Sequence, residues 1–232
     1  MIKTLIFDID NTLYDYDAAH AAAFQAVADD AGKTLGLSAE RFAALYREAN
    51  RIQQDRAGVK SAAVHNRLIR YQIMLEQIGQ PVFYAPRMAE RYWSTFLAHM
   101  CPAPGVDACM SFLKTAGLTA GIGTNMTADY QYAKLERLGL TRYIDFMVTS
   151  EEAGVEKPDA SFFDLCVKKA GCSAGECVFV GDSLDYDVLG AKQAGLYPVW
   201  LCPDPRQAEA PPGAGHVRSL RELPDLLRSL FD

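Results

Sequence analysis

Five short apolar runs punctuate the chain: KTLIFDI (Lys3–Ile9), TAGIGT (Thr119–Thr124), FMVTS (Phe146–Ser150), CVFVG (Cys177–Gly181) and YPVWL (Tyr197–Leu201). Each is apolar at consecutive rather than alternate positions, which is how a strand covered on both faces reads. Between them lie stretches of helical period, Val106–Ala116, Ala128–Leu138, Ala160–Ala170 and Tyr186–Ala194, several of which stop at glycine. Alternating strand and helix predicts right-handed crossovers and an α/β fold, a Rossmann-like, doubly wound parallel sheet. Ligands of such sheets bind at the carboxyl ends of the strands.

One region breaks the alternation. From about Tyr16 to about Met100 there is no strand pattern, only amphipathic, Ala-rich and charged segments: Ala18–Ala31, Ala39–Asn50, Val64–Ile78 and Pro86–His99. The chain leaves this region through CPAPG (Cys101–Gly105), where prolines and glycine interrupt any helix. The expected organisation is a core of residues 1–15 and 101–232 and an inserted helical cap of residues 16–100. Pro203–Gly215, rich in Pro, Ala and Gly, is expected to be a surface loop.

At 232 residues, 50% of them hydrophobic, the chain can bury a substantial core, which excludes disordered and fibrous readings. A net charge of −6 without a dense basic block argues against nucleic acid or an anionic membrane as partner. No secretory leader is expected, since the sequence reaches Asp8 without a long apolar run, and no apolar run approaches the ~20 residues of a membrane helix. A cytoplasmic monomer or homodimer acting on a small molecule is expected. The cysteines Cys101, Cys109, Cys166, Cys172, Cys177 and Cys202 form no metal-like pattern and are expected to be buried, reduced thiols.

Chemistry collects where the strands end. Asp8 and Asp10 are two residues apart at the tip of the first strand, projecting to one side, where their repulsion calls for a cation or a shared proton. Thr124 and Asn125 close the second run and offer a hydroxyl and backbone N–H groups to an oxyanion. Lys157, in EKPD, offers an ammonium that can neutralise both a phosphate and a carboxylate. Asp182, Asp185 and Asp187 follow the fourth run. Singly, such residues are as often caps or turn formers. Together, each at its own strand end, they point to one crevice.

The ordered set Asp8-x-Asp10-x-Thr12, Thr124, Lys157 and Gly181-Asp182-x-x-x-x-Asp187 resembles the four motifs of the haloacid dehalogenase-like hydrolase superfamily, across nearly the whole chain. The position of the helical insertion resembles the cap of its subfamily I, and Leu138–Phe163 is similar to that subfamily's phosphatases and nucleotidases. The resemblance implies Asp8 as nucleophile, forming an aspartyl-phosphate, and Asp10 as general acid and base. It implies Thr124, Asn125 and Lys157 as phosphate ligands. It also implies Mg²⁺ held by Asp8, Asp10 through its carbonyl, Asp182 and Asp187. Asp185 either orients a metal-bound water or Lys157, or simply begins a helix.

The function implied is hydrolysis of a small phosphate ester, such as a nucleoside monophosphate or a sugar or glycolate phosphate. A phosphosugar mutase, a 2-haloacid dehalogenase and a non-catalytic binding protein are the alternatives. The second aspartate weighs against the dehalogenase, which attacks carbon and has no alkoxide to protonate. Substrate choice is expected from the cap, where Tyr14 and Tyr16, His20, Arg56, Lys60, His65, Arg67 and Arg70 are candidates; their competing reading is that of solvated helix faces.

Overall fold

The first strand is built to be covered. In the computed structural model, which describes residues 1–58, 61–203 and 210–231, β1 (Thr4–Phe7) is buried at every position. It lies at the centre of a six-stranded parallel sheet of order β3-β2-β1-β4-β5-β6, with β2 (Thr119–Thr124), β3 (Phe146–Thr149), β4 (Cys177–Gly181), β5 (Tyr197–Leu201) and β6 (Gly215–Val217). Phe7 pairs with Ile122 of β2 on one side and Val180 of β4 on the other. The strand order therefore reverses at β1, and the residue after it enters the crevice that such a reversal opens.

Chain order runs through helices that cross between strands: α5 (Val106–Thr115) before β2, α6 (Ala128–Leu138) between β2 and β3, and α7 (Ser150–Ala153) with α8 (Ala160–Ala170) between β3 and β4. On one side of the sheet Ile6, Val148 and Phe179 pack with Phe162, Phe163 and Cys166 of α8, and the Phe163 and Phe179 rings meet edge-on at 5.2 Å. Burying aromatic and aliphatic side chains at this density supplies most of the favourable energy of the fold.

Two elements depart from the sequence reading. The expected helix Tyr186–Ala194 is a wide π-turn at Leu184–Leu189 followed by a short α9 (Gly190–Gln193). Its N–H of Val188 reaches back to the Ser183 carbonyl at 3.1 Å. The chain also continues into β6 and α10 (Leu223–Phe231), which lack a long apolar run and were not expected. Within the expected loop Pro203–Gly215, residues 204–209 lie outside the described residues and Gly215 already belongs to β6. All six cysteines are free; Cys101 is exposed and Cys172 half-buried, because they lie in segments flanking elements, while the other four are buried.

The chain divides into two compact units, Met1–Asp15 with Cys101–Asp232, and Tyr16–Met100. The second contains α1 (Tyr16–Leu35), α2 (Ala39–Ala57), α3 (Arg67–Gln77) and α4 (Ala85–Ala98). Ala19, Ala23, Val27 and Ala31 recur every four residues on α1, a stripe of small side chains that lets a neighbouring helix approach. Phe24, Phe42 and Tyr46 form an aromatic core with ring separations of 5.1–6.3 Å. Ser38 and Asn66 cap α2 and α3, each accepting from the backbone N–H three residues on. No helix of the described residues is long and apolar enough to cross a membrane.

Candidate active site

Asp8 stands immediately after β1, its backbone N–H donating to the Val180 carbonyl at 2.9 Å. Pairing on both sides of β1 thus fixes its position before any side-chain contact is made. The Lys157 ammonium donates to Asp8 Oδ1 at 2.7 Å, to Asp187 Oδ1 at 2.7 Å and to the Gly123 carbonyl at 3.1 Å. Lys157, Asp8 and Asp187 are all buried. Asp8 Oδ2 has no hydrogen-bond partner among the described residues, so one oxygen is pinned and the other is presented.

Local structure explains how these groups meet. The Asn125 side chain accepts from the Lys157 backbone N–H at 2.9 Å, tying the loop after β2 to the segment that carries the ammonium. The wide turn at Leu184–Leu189 swings Asp187 back against the end of β4, where its Oδ2 accepts from the Ser183 N–H at 3.0 Å. A Cβ at Gly181 would lie 2.3 Å from the Asp187 carboxyl, so this close return requires glycine. At Gly123 a Cβ would come within 2.8 Å of the Phe179 ring, and the missing side chain leaves Lys157 room to reach the carbonyl.

Burial dominates the electrostatics. It pushes the Asp8 carboxyl up to about 7 despite the opposing pull of Lys157, and burial followed by Asp187 pushes Asp182 up to about 6. For Lys157, burial opposes the charge, yet Asp187 and Asp8 on either side hold the ammonium above its ordinary value.

Carboxylate oxygens of Asp8, Asp182 and Asp187 lie within 4.8 Å of one another. An all-oxygen trio with a single ammonium among it fits a hard divalent cation such as Mg²⁺, and its lack of nitrogen and sulfur does not suit zinc.

The Asp10 carboxyl is not one of this trio, although its charge is felt by Asp8 and Asp182. Lys134 of α6 donates to the two Asp10 oxygens at 2.7 and 3.0 Å, and the Tyr14 hydroxyl donates to Oδ1. Thr124, last residue of β2, accepts from Gln131 of α6 at 2.7 Å, which leaves its own hydroxyl proton to donate elsewhere. Neither Gln131 nor Lys134 was singled out in the sequence. The signal was nevertheless present: residues 131, 134, 135 and 138 make one buried stripe of α6, and two of them are polar.

The remaining candidates separate. Asp185 is exposed in the first turn of its helix and bonds neither Lys157 nor the trio. Thr12 is buried with its hydroxyl unpartnered. In the helical unit, Arg56 is exposed, His65 is half-buried, and Lys60 lies outside the described residues. Arg67 and Arg70 do not form a solvated face; both are buried within the helical unit.

A family model described as haloacid dehalogenase-like hydrolase matches residues 2–195. Ribulose-1,5-bisphosphate 5-phosphatase of Halopiger xanaduensis is 36% identical over 227 residues, covering 96% of this chain and 93% of that protein. Among solved structures, a HAD phosphatase from Thermococcus onnurineus superposes with a TM-score of 0.74 and 26% identity, over 97% of this chain and 98% of that one. A 2-haloacid dehalogenase from Pseudomonas syringae pv. Tomato superposes with a TM-score of 0.79 and 27% identity, over 99% and 100%.

Proposed function

The chain belongs to the haloacid dehalogenase-like hydrolases, and from that premise we propose that it is a Mg²⁺-dependent phosphomonoesterase acting on a small phosphorylated metabolite, with Asp8 as nucleophile. The observation that carries the reading is the Asp8 carboxylate itself, held by Lys157 through one oxygen with the other unengaged, at the point where the strand order reverses. A phosphatase relative 36% identical over nearly the whole chain supports the phosphoryl chemistry. The fold does not decide it, since a phosphatase and a dehalogenase superpose about equally well. Asp10 supports it: a carboxyl beside the nucleophile has work in phosphoryl transfer, where an alkoxide leaves and must be protonated.

Asp8 Oδ2 attacks phosphorus in line, the P–O bond to the leaving group breaks, and an aspartyl-phosphate forms. Asp10 gives a proton to the departing alkoxide, then takes one from the water that hydrolyses the acyl phosphate. Lys134 and Tyr14 fix the orientation from which it does so. Thr124 and the Asn125 backbone N–H receive the non-bridging phosphoryl oxygens, with Gln131 aiming the threonine hydroxyl, and Lys157, its three N–H groups held by Asp8, Asp187 and the Gly123 carbonyl, supplies positive charge to the phosphoryl group beside them. Asp8, Asp182, Asp187 and the Asp10 carbonyl are the groups that would hold Mg²⁺. When bound, the ion supplies charge neutralisation to the phosphoryl group.

A panel of phosphomonoesters, assayed for inorganic phosphate with Mg²⁺ and with excess chelator, tests this. Release that depends on the metal is expected for at least one sugar, glycolate or nucleoside phosphate. Silence across the panel, or full activity in Asp10→Ala, would remove the assignment.

A further inference from the structure

Two of the six cysteines touch. Cys172, in the turn that follows α8, and Cys177, first residue of β4, hold their sulfurs 3.4 Å apart. The chain between them is already folded for closure. Gly171 ends α8 in the left-handed conformation, at φ 67°. The Ser173 N–H and hydroxyl donate to Glu176 Oε2 at 3.0 and 2.8 Å, and the Glu176 N–H donates to the Ser173 carbonyl at 2.9 Å. These bonds turn residues 173–176 back on themselves, so the cysteines on either side meet. A disulfide holds its sulfurs at ~2.0 Å, a further approach of about 1.4 Å.

The two thiols differ in the way an oxidation in two steps requires. Cys172 is half-buried, within reach of a small oxidant from solvent, and its sulfur is 3.5 Å from the Thr4 hydroxyl. Lys3, whose ammonium bonds Glu176 at 2.7 Å, interacts electrostatically with the same thiol. A partly exposed sulfur with a cation and a hydroxyl beside it is the setting of a reactive cysteine. Cys177 is wholly buried, and burial, then the hydrogen bond with Cys172, pushes its thiol up to about 12. Cys177 therefore reacts second, and it stands where it can attack a modified Cys172.

We propose that Cys172 and Cys177 are a redox-active pair, which a hydroperoxide closes into a disulfide and a dithiol reopens. The Cys172 sulfur attacks a peroxide oxygen, the O–O bond breaks, and the departing oxygen takes up the thiol proton as water or an alcohol, leaving a sulfenic acid. The Cys177 sulfur then attacks the Cys172 sulfur, the S–O bond breaks, and hydroxide leaves with the Cys177 proton as water. Two thiols are oxidised and one peroxide is reduced. The bridge ties the turn after α8 to the start of β4, ~16 Å along the chain from Asp182, so it strengthens the fold at the end of the sheet away from the active site.

The test uses the whole chain with Cys101→Ser, which removes the exposed thiol that would join molecules, and nothing in it depends on phosphatase activity. The native protein is treated with hydrogen peroxide, remaining thiols are alkylated after unfolding, and the tryptic peptides are weighed. Both cysteines fall in one such peptide, residues 170–192, with Glu176 between them. Closure makes it two hydrogens lighter and free of alkylation, and a second cut after Glu176 leaves its halves joined. This is expected of most of the protein, with Tm raised by about 4 °C or more, and both changes reversed by dithiothreitol.

Cys172→Ser should show no rise in Tm on the same treatment. Should it fail to fold, Cys177→Ala serves, in which Cys172 has no partner and goes on to the sulfinic acid. Cys172 recovered alkylated, or carried to the sulfinic acid beside a free Cys177 in the Cys101→Ser protein, would overturn the proposal. A bridge that left Tm unmoved or lowered it would do the same, since the turn would then not be built for closure.

Discussion

Among the described residues each unit buries two basic side chains, and the two units treat them in opposite ways. In the sheet unit, Lys157 lies between Asp8 and Asp187, and Lys134 grips Asp10. In the helical unit, Arg67 and Arg70 are met by hydroxyls, a glutamine, backbone carbonyls and the faces of the Tyr92 and Tyr46 rings, and by no carboxylate among the described residues. One cluster has more carboxylates than cations and calls for a metal ion. The other has cations held by neutral groups and aromatic faces, with no carboxylate bonded to them among the described residues.

The largest expected effect breaks the sheet unit's side of this contrast. Asp8→Asn keeps the shape and removes the charge that attacks phosphorus, so phosphate release should fall by about four orders of magnitude. A variant within tenfold of wild type would end the covalent mechanism. Next comes Lys157→Met, which leaves two buried carboxylates unpaired. It should lower kcat/KM by about 10²–10³-fold and destabilise the unit by about 3–5 kcal/mol in urea unfolding. Arg70→Met removes hydrogen bonds to neutral groups only, and should cost about 1–3 kcal/mol. If Arg70→Met proved the more damaging of the two to stability, the division between paired and unpaired charge would be wrong.

Lys134→Met sharpens the same contrast inside the sheet unit, since Lys134 positions Asp10 and touches no substrate in the proposed mechanism. A loss of about 10–10²-fold in kcat, with little change in KM, is expected. A double-mutant cycle with Asp10→Asn should show the effects to be strongly non-additive, because Lys134 acts through Asp10. Additive losses would separate the two residues.

How much of this was open to reading depends on which physical signal each part leaves. The five apolar runs were legible because doubly covered strands need unbroken hydrophobic stretches, and the chemistry at their ends was legible because parallel topology brings carboxyl ends together. β6, with only Gly-His-Val, leaves too short a trace. Gln131 and Lys134 were overlooked because their helix was read for its period and not for the polar members of its buried stripe. For Arg67 and Arg70, candidates for substrate choice, the competing reading of a solvated face fails, because both are buried while Leu68 and Ile69 between them are exposed. In each miss a polar group is buried for its partners, which single-residue hydrophobicity does not record.

The smallest effect tests the field of the helical unit directly. His20 faces Tyr16, Tyr92, Arg67 and Arg70, with Asp17 as the acid opposing them, and its Nδ1 is 2.7 Å from the Tyr92 hydroxyl. In the unfolded chain it titrates near its ordinary value of 6.5, and in the folded chain at about 4. Above the unfolded value both states are neutral and stability is fully present. As pH falls from there towards 4, only the unfolded chain takes up the proton, so stability is progressively lost. The ring is partly exposed, and solvent screening reduces the loss to about 1–2 kcal/mol. Urea midpoints at about pH 7.5 and about pH 5 should therefore fall further in wild type than in His20→Gln, which can still bond Tyr92 but has no proton to gain. Equal slopes in the two proteins would show that the arginines are neutralised by something else.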